Sequence, residues 1–355
     1  MERLHSLDFL RAFAMLLGLV IHAPLIFYDP TVLLTFEIYD KPKQELWIWI
    51  ILVFITNWRM PLFFFLSGFF SIMIIHKRGI SKFLLDRIVR VGLTCLLFCL
   101  IFDLFDGKID FTLDHLWFLY YLFIFAFIYS FLYQIKFIRN ILTNSISIIK
   151  IIILLFCLIM FFPLAIIFNS GSITGGIEVA FLEPPKTYID LKIGNLIYYF
   201  SFFLAGTFFY FNQKWFNIFA RTKILILLSI LSIVIFLLQL GANDFPIVFI
   251  ILKSINTLLW CLLFLGLATR FIFSSSGLLT WLIELSYPIY LLHLMPIIFI
   301  SVAFYKTGFS QINIFLFSIT FGFLSSIILY YLLIKFTPLN WIVNGYSKSF
   351  FRFKF

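Results

Sequence analysis

Charge is what this sequence has least of. Only 12% of its 355 residues are Asp, Glu, Lys or Arg, while 63% are hydrophobic and the mean hydropathy is +1.10; a soluble domain carries about twice that share of charge. Apolar runs of about 20 residues recur from end to end, which leaves no stretch for a soluble domain or a large ectodomain. A soluble enzyme is thereby excluded. Cysteine is scarce as well, and Cys95, Cys99, Cys157 and Cys261 all fall inside apolar runs. They lack the spacing of a zinc site or of an extracellular disulfide framework, so they read as packing residues and no metal is expected. An internal repeat and a low-complexity tail are also missing. No small-residue cleavage pattern follows Met1 to Asp8, so the first helix is expected to stay.

Ten apolar runs are present, roughly 8–28, 46–75, 89–105, 113–133, 146–168, 193–211, 222–240, 246–270, 279–304 and 311–336. The expected fold is all-α: a polytopic integral membrane protein of about ten transmembrane helices, with a membrane domain over 1–340 and a short basic tail over 341–355. The net charge of +10 then reports topology and not nucleic-acid binding. With both termini cytoplasmic, most of the 26 Lys and Arg fall inside, including Arg3, Arg11, the cluster Lys77, Arg78, Lys82, Arg87 and Arg90, and Lys348, Arg352 and Lys354. Lys41, Lys43, Lys108, Lys186, Lys192 and Lys306 fall outside with most of the acids, among them the run Asp103, Asp106, Asp110 and Asp114. This is the positive-inside pattern. The stretch from about 169 to 192, with Gly171, Gly175, Gly176 and the Pro184-Pro185 pair, reads as an outer loop.

Two basic residues remain inside the spans, Arg59 and Lys253. Burying either costs on the order of 3 kcal/mol or more, so each needs a partner or a wet cavity. The second run, about 30 residues, is longer than the hydrocarbon core and must tilt or begin at the interface before Pro61, with Asn57, Trp58 and Arg59 near the change of direction. Arg11 and His22 are eleven steps apart, which puts them within about 20° of one helix face and ~16 Å apart along it. An intramembrane His is a functional candidate by default, against which stands a snorkelling Arg and a His that only bonds a neighbouring helix. His115 and Trp117 open the fourth run at the outer interface, where a Trp is ordinarily an aromatic anchor. Ser286, Tyr290 and His293 recur at i, i+4 and i+7, and a kink at Pro288 would aim that face. Arg87 and Arg90, one turn apart, would put two guanidinium groups on one side for a phosphate pair; the alternative is a loop against anionic lipid.

Leu7-Asp8-Phe9-Leu10-Arg11-Ala12 leading to His22, then Arg59 to Phe70, His115 to Leu119 and Ser286 to His293, occur in this order over most of the chain. Together they resemble the acyltransferase-3 family of membrane O-acyltransferases. The wording Arg-Met-Pro-Leu-Phe-Phe-Phe-Leu-Ser-Gly-Phe-Phe and the loop Arg-Gly-Ile-Ser-Lys-Phe-Leu-Leu-Asp-Arg-Ile-Val-Arg look closest to its glucans biosynthesis branch. That resemblance implies a bacterial inner-membrane enzyme that succinylates periplasmic glucans. It implies essential roles for Arg11 and His22, and acyl-CoA binding by Arg87 and Arg90. No esterase-like domain, as some members carry, follows residue 336, so the chain would act alone or recruit a partner.

The expected reaction moves a succinyl or acetyl group from cytoplasmic acyl-CoA to a hydroxyl of an envelope glycan. Acyl-CoA is the donor substrate and no cofactor is held permanently; the expected partners are a glycan acceptor, membrane lipid and a glycan-synthesis complex. His22 would act as general base or carry the acyl group transiently. Arg59 would stabilise the oxyanion or hold a substrate carboxylate, with His115, Trp117, Ser286, Tyr290 and His293 as substrate-binding residues. No Ser-His-Asp set can be assembled, and Asp8 is too far along the chain to orient His22. Two readings compete: a secondary transporter or flippase of a glycan or acyl carrier, which Lys253 would suit, and an assembly subunit whose polar residues only pack helices.

Overall fold

The computed structural model describes residues 5–39, 44–105, 107, 109–143, 148–170, 182–274 and 276–345. The expected basic tail beyond residue 345, the glycines Gly171, Gly175 and Gly176, and Arg3, Lys41, Lys43, Asp106 and Lys108 lie outside them.

The chain is an all-α polytopic membrane protein. Among the described residues nine helices are long and apolar enough to cross a membrane, or ten if one bent pair counts as a single span. They are α1 (His5–His22), α2 (Leu46–Arg78), α3 (Ile80–Phe105), α4 (Asp114–Gln134), α5 (Ile148–Ser170), α6 (Ile193–Phe211), α7 (Thr222–Gly241), α8 (Pro246–Phe271) and α11 (Gln311–Lys335). The bent pair is α9 (Gly277–Leu292) with α10 (Leu294–Lys306), at 68°. Two compact units result. The larger takes Met1–Leu10 and Thr56–Ser274, the smaller Arg11–Ile55 and Ser275–Phe355.

Proline explains where two elements depart from expectation. The first run stops as a helix at His22 and not at residue 28, because Pro24 has no N–H to continue the ladder and disfavours helix in Ala23. Short helices Leu25–Tyr28 and Pro30–Thr35 follow, the second capped by the Asp29 carboxylate on the Thr31 N–H at 2.8 Å. In α2 the reverse occurs. The helix continues through Pro61 with no break. Pro61 frees the Asn57 carbonyl four residues back, and the Thr257 hydroxyl of α8 donates to that carbonyl at 2.8 Å.

The segment expected as an inner loop after His76 is largely helical. Helix α2 runs on to Arg78, Gly79 turns the chain at φ 82°, and α3 starts at Ile80. That φ favours glycine, which has no Cβ to clash.

In the larger unit, α2 and α6 cross at two glycines. A Cβ on Gly68 would strike the Phe203 carbonyl, and one on Gly206 the Phe65 carbonyl. Small residues at such crossings let backbones meet where no hydrophobic effect drives helices together. On the same unit, residues 182–192 dock back onto the turn before α4. Leu113 N–H donates to the Lys186 carbonyl at 2.8 Å, and Tyr120 and Tyr121 donate to the carbonyls of Tyr188 and Leu191 at 2.8 and 2.9 Å. The smaller unit packs Leu25, Ile26, Phe27, Ile48, Leu294 and Ile314 into one apolar cluster.

Candidate active site

The smaller unit brings three of the expected residues together. His22 ends α1, half-buried, and its ring lies 5.2 Å from that of His293, inclined at 45°. His293 is wholly buried, and the Tyr290 ring lies 5.4 Å from it. The break in this span falls at His293, beyond Pro288. Pro296 accounts for it, since it lacks the N–H that would bond the Leu292 carbonyl and its ring crowds that group. His293 Nδ1 stands 2.7 Å from the Tyr290 carbonyl oxygen. A carbonyl only accepts, so Nδ1 carries the proton and donates it. Ser286, on the same predicted stripe, donates its hydroxyl to the Ile283 carbonyl at 2.9 Å. Arg11 lies partly exposed on α1.

In the larger unit Arg59 is buried on α2, 7% exposed. Trp117 is half-buried at the start of α4 and packs against Tyr199, Tyr121 and Phe64 at ring separations of 5.5, 5.6 and 6.3 Å. It belongs to an aromatic wall and is more than an interfacial anchor. His115 is buried in the turn that opens α4, with its ring 5.4 Å from Phe102.

Arg87 precedes, and Arg90 lies within, a π turn over Ile88–Leu93, which rotates by fewer degrees per residue than an α turn. Arg87 lies over the Phe83 ring at 5.1 Å, and Arg90 approaches the Asp86 carboxylate at 3.7 Å. Both remain partly exposed cations on one short segment. Lys253 is buried on α8, its ammonium 5.4 Å from the Phe162 ring centroid, a cation–π geometry.

A polar cluster that the spacing did not reveal joins three helices of the larger unit. Asn57 Nδ2 donates to Gln239 Oε1 at 2.8 Å, Gln239 Nε2 donates to Asn57 Oδ1 at 3.3 Å, and Asn256 Nδ2 donates to Gln239 Oε1 at 3.0 Å. These residues come singly from α2, α7 and α8 and are all buried. One polar residue in each of three runs is the only signal the sequence offers. Among the described residues no group of three or more His, Cys, Asp or Glu could hold a metal ion.

The family model described as "Acyltransferase domain" matches residues 4–334. Glucans biosynthesis protein C of Escherichia coli K12 is 34% identical over 95 residues, 27% of this chain and 23% of that protein. The same protein from Escherichia coli O1:K1 and from Escherichia coli O9:H4 matches to the same extent. The chain therefore aligns with about a quarter of the length of these curated relatives. No solved structure matches it.

Proposed function

The chain belongs to the acyltransferase family whose model runs along it from residue 4 to residue 334, and from that premise we propose that it is a membrane O-acyltransferase. It moves a succinyl or acetyl group from acyl-CoA at the cytoplasmic face to a hydroxyl of a cell-envelope glycan. The observation that carries the reading is the family match along nearly the whole chain; the names of the curated relatives make a glucan the first acceptor to try. The protein sits in a bacterial inner membrane with both termini in the cytoplasm, supported by the concentration of Lys and Arg in alternate connecting segments.

In this reaction His22 takes the proton of the acceptor hydroxyl as its oxygen attacks the thioester carbonyl. The C–O bond forms, the C–S bond breaks, and His22 returns the proton to the departing CoA thiolate. Arg59 supplies the cation for the developing oxyanion or for a succinyl carboxylate. Arg87, Arg90 and Arg11 bind the CoA phosphates, a role suited to partly exposed guanidinium groups. Tyr290, Ser286, Trp117 and His115 contact substrate. A partner from a glycan-synthesis complex would deliver the acceptor.

The test is transfer of label from radiolabelled succinyl-CoA or acetyl-CoA to periplasmic glucan by the purified protein in proteoliposomes. One donor is expected to label the glucan, and His22→Ala should lower the rate by about 10³-fold or more, with insertion and folding intact. An unchanged rate removes His22 from the chemistry. A second reading, a secondary transporter, is favoured by the broken span at His293 and the buried Lys253. It predicts movement of unmodified glycan across the vesicle with no label transferred.

A further inference from the structure

We propose that the cytoplasmic ends of α2, α4 and α6 form an adenine-nucleotide site, in which the ring of His76 stacks on the adenine of the CoA donor. The inference rests on the acyl-transfer reading above and deepens it. Arg87 and Arg90 take the phosphates in that reading, and the base has no residues of its own.

Three observations carry it. The first is an aromatic platform where these helices end. His76, in the last turn of α2, is exposed, and its ring lies 5.5 Å from that of Tyr210 and 5.3 Å from that of Phe211 at the end of α6, and 6.2 Å from that of Tyr133 near the end of α4. His76 Nε2 and Tyr133 Oη share a hydrogen bond of 2.9 Å, which pins the imidazole while the residue stays open to solvent. The second is a rim of cations. Lys77 and Arg78 follow His76, Lys136 and Arg139 follow Tyr133 in the short helix Lys136–Thr143, and Lys214 follows Phe211, all of them exposed. No Asp or Glu occurs in 71–85, 131–150 or 201–223. Rings beside an uninterrupted positive rim suit a planar base that carries phosphates.

The third is the order of levels along α4. Gly92 of α3 sits against Phe123 of α4, since a Cβ there would strike that ring. The two spans run in opposite directions, so Arg87 lies about 8 Å and Tyr133 about 15 Å from that level toward the cytoplasm. The diphosphate site is therefore deeper than the aromatic platform by about 7 Å. CoA carries base, diphosphate and thioester arm in that order, which matches the sequence of sites from the surface inward. Anionic lipid would use the rim and leave the rings idle.

The experiment compares wild type with His76→Ala and His76→Phe in proteoliposomes, using labelled succinyl-CoA or acetyl-CoA and the matching acyl-pantetheine, which lacks the nucleotide. His76→Ala should raise KM for acyl-CoA about 10-fold, with kcat within about two-fold and turnover of acyl-pantetheine unchanged. His76→Phe keeps a stacking face and should hold KM within about three-fold of wild type. Equal loss with both kinds of donor, as lipid binding or a purely structural role would give, overturns the proposal, and so does a KM in His76→Phe as high as in His76→Ala. Calorimetry on the detergent-purified proteins reads the site without turnover. Adenosine 3′,5′-bisphosphate should bind about 10-fold more weakly to His76→Ala, and inorganic pyrophosphate equally to wild type and both variants. Nucleotide binding that is unaltered in His76→Ala overturns the proposal. If wild type transfers label from neither donor yet binds the nucleotide through His76, the acyl-transfer reading falls and the nucleotide site stands.

Discussion

The two units join their helices through different polar groups. In the larger one, side chains from different helices bond one another: Asn57, Gln239 and Asn256 join α2, α7 and α8, and Thr257 takes the carbonyl that Pro61 releases. Buried hydroxyls turn back on their own helices in both, as Ser201 does to Tyr198 and Ser254 to Ile250 in the larger unit, and Ser286 to Ile283, Ser301 to Ile298 and Ser326 to Gly322 in the smaller. In the smaller unit the polar meeting between helices is made by the rings of His22 and His293. The amide cluster is suited to holding helices in place and has nothing to donate or accept at neutral pH beyond hydrogen bonds. Imidazole rings, unlike amides, can also take up and release a proton near neutral pH.

That contrast can be broken by substitution. Gly206→Val should have the largest effect on stability, about 3 kcal/mol or more in a reversible detergent unfolding titration, because the Phe65 carbonyl leaves no room for a Cβ. Gln239→Leu should cost about 1–3 kcal/mol, since it leaves two buried amides without their common partner, while transfer per folded molecule stays within about two-fold. Loss of activity in Gln239→Leu at unchanged stability would place the cluster in the chemistry and erase the distinction between the units. Ser301→Ala should change stability by about 0.5 kcal/mol or less, because its hydroxyl only doubles a carbonyl of its own helix. A loss as large as that of Gln239→Leu would show that local back-bonding holds the smaller unit as firmly as the amide cluster holds the larger.

The helices were legible because a span needs about 20 apolar residues and nothing else does. Runs 193–211, 222–240 and 246–270 match α6, α7 and α8 to within a residue or so. What proline does was not legible. Pro24 ends a helix, Pro296 breaks one at a histidine, and Pro61 does neither, the carbonyl it frees being met by Thr257 from a distant part of the sequence. The π turn over Ile88–Leu93 was not legible either, since it leaves no mark in residue type. Of the candidate site, the meeting of His22 with His293 was foreshadowed by their shared depth, both falling at middle or outer positions of their runs. The amide cluster was hidden because Asn57, Gln239 and Asn256 have no spacing in common.

The glycine crossing of α2 and α6 has a mechanical consequence. With each glycine seated on a carbonyl of the other helix, sliding by one position would drive a side chain into that seat from both directions. The two helices are thereby locked in register and translate as one strut. Arg59 rides on one and Tyr199 on the other, so the lock that fixes the register of the helices also fixes the levels of these two residues along them.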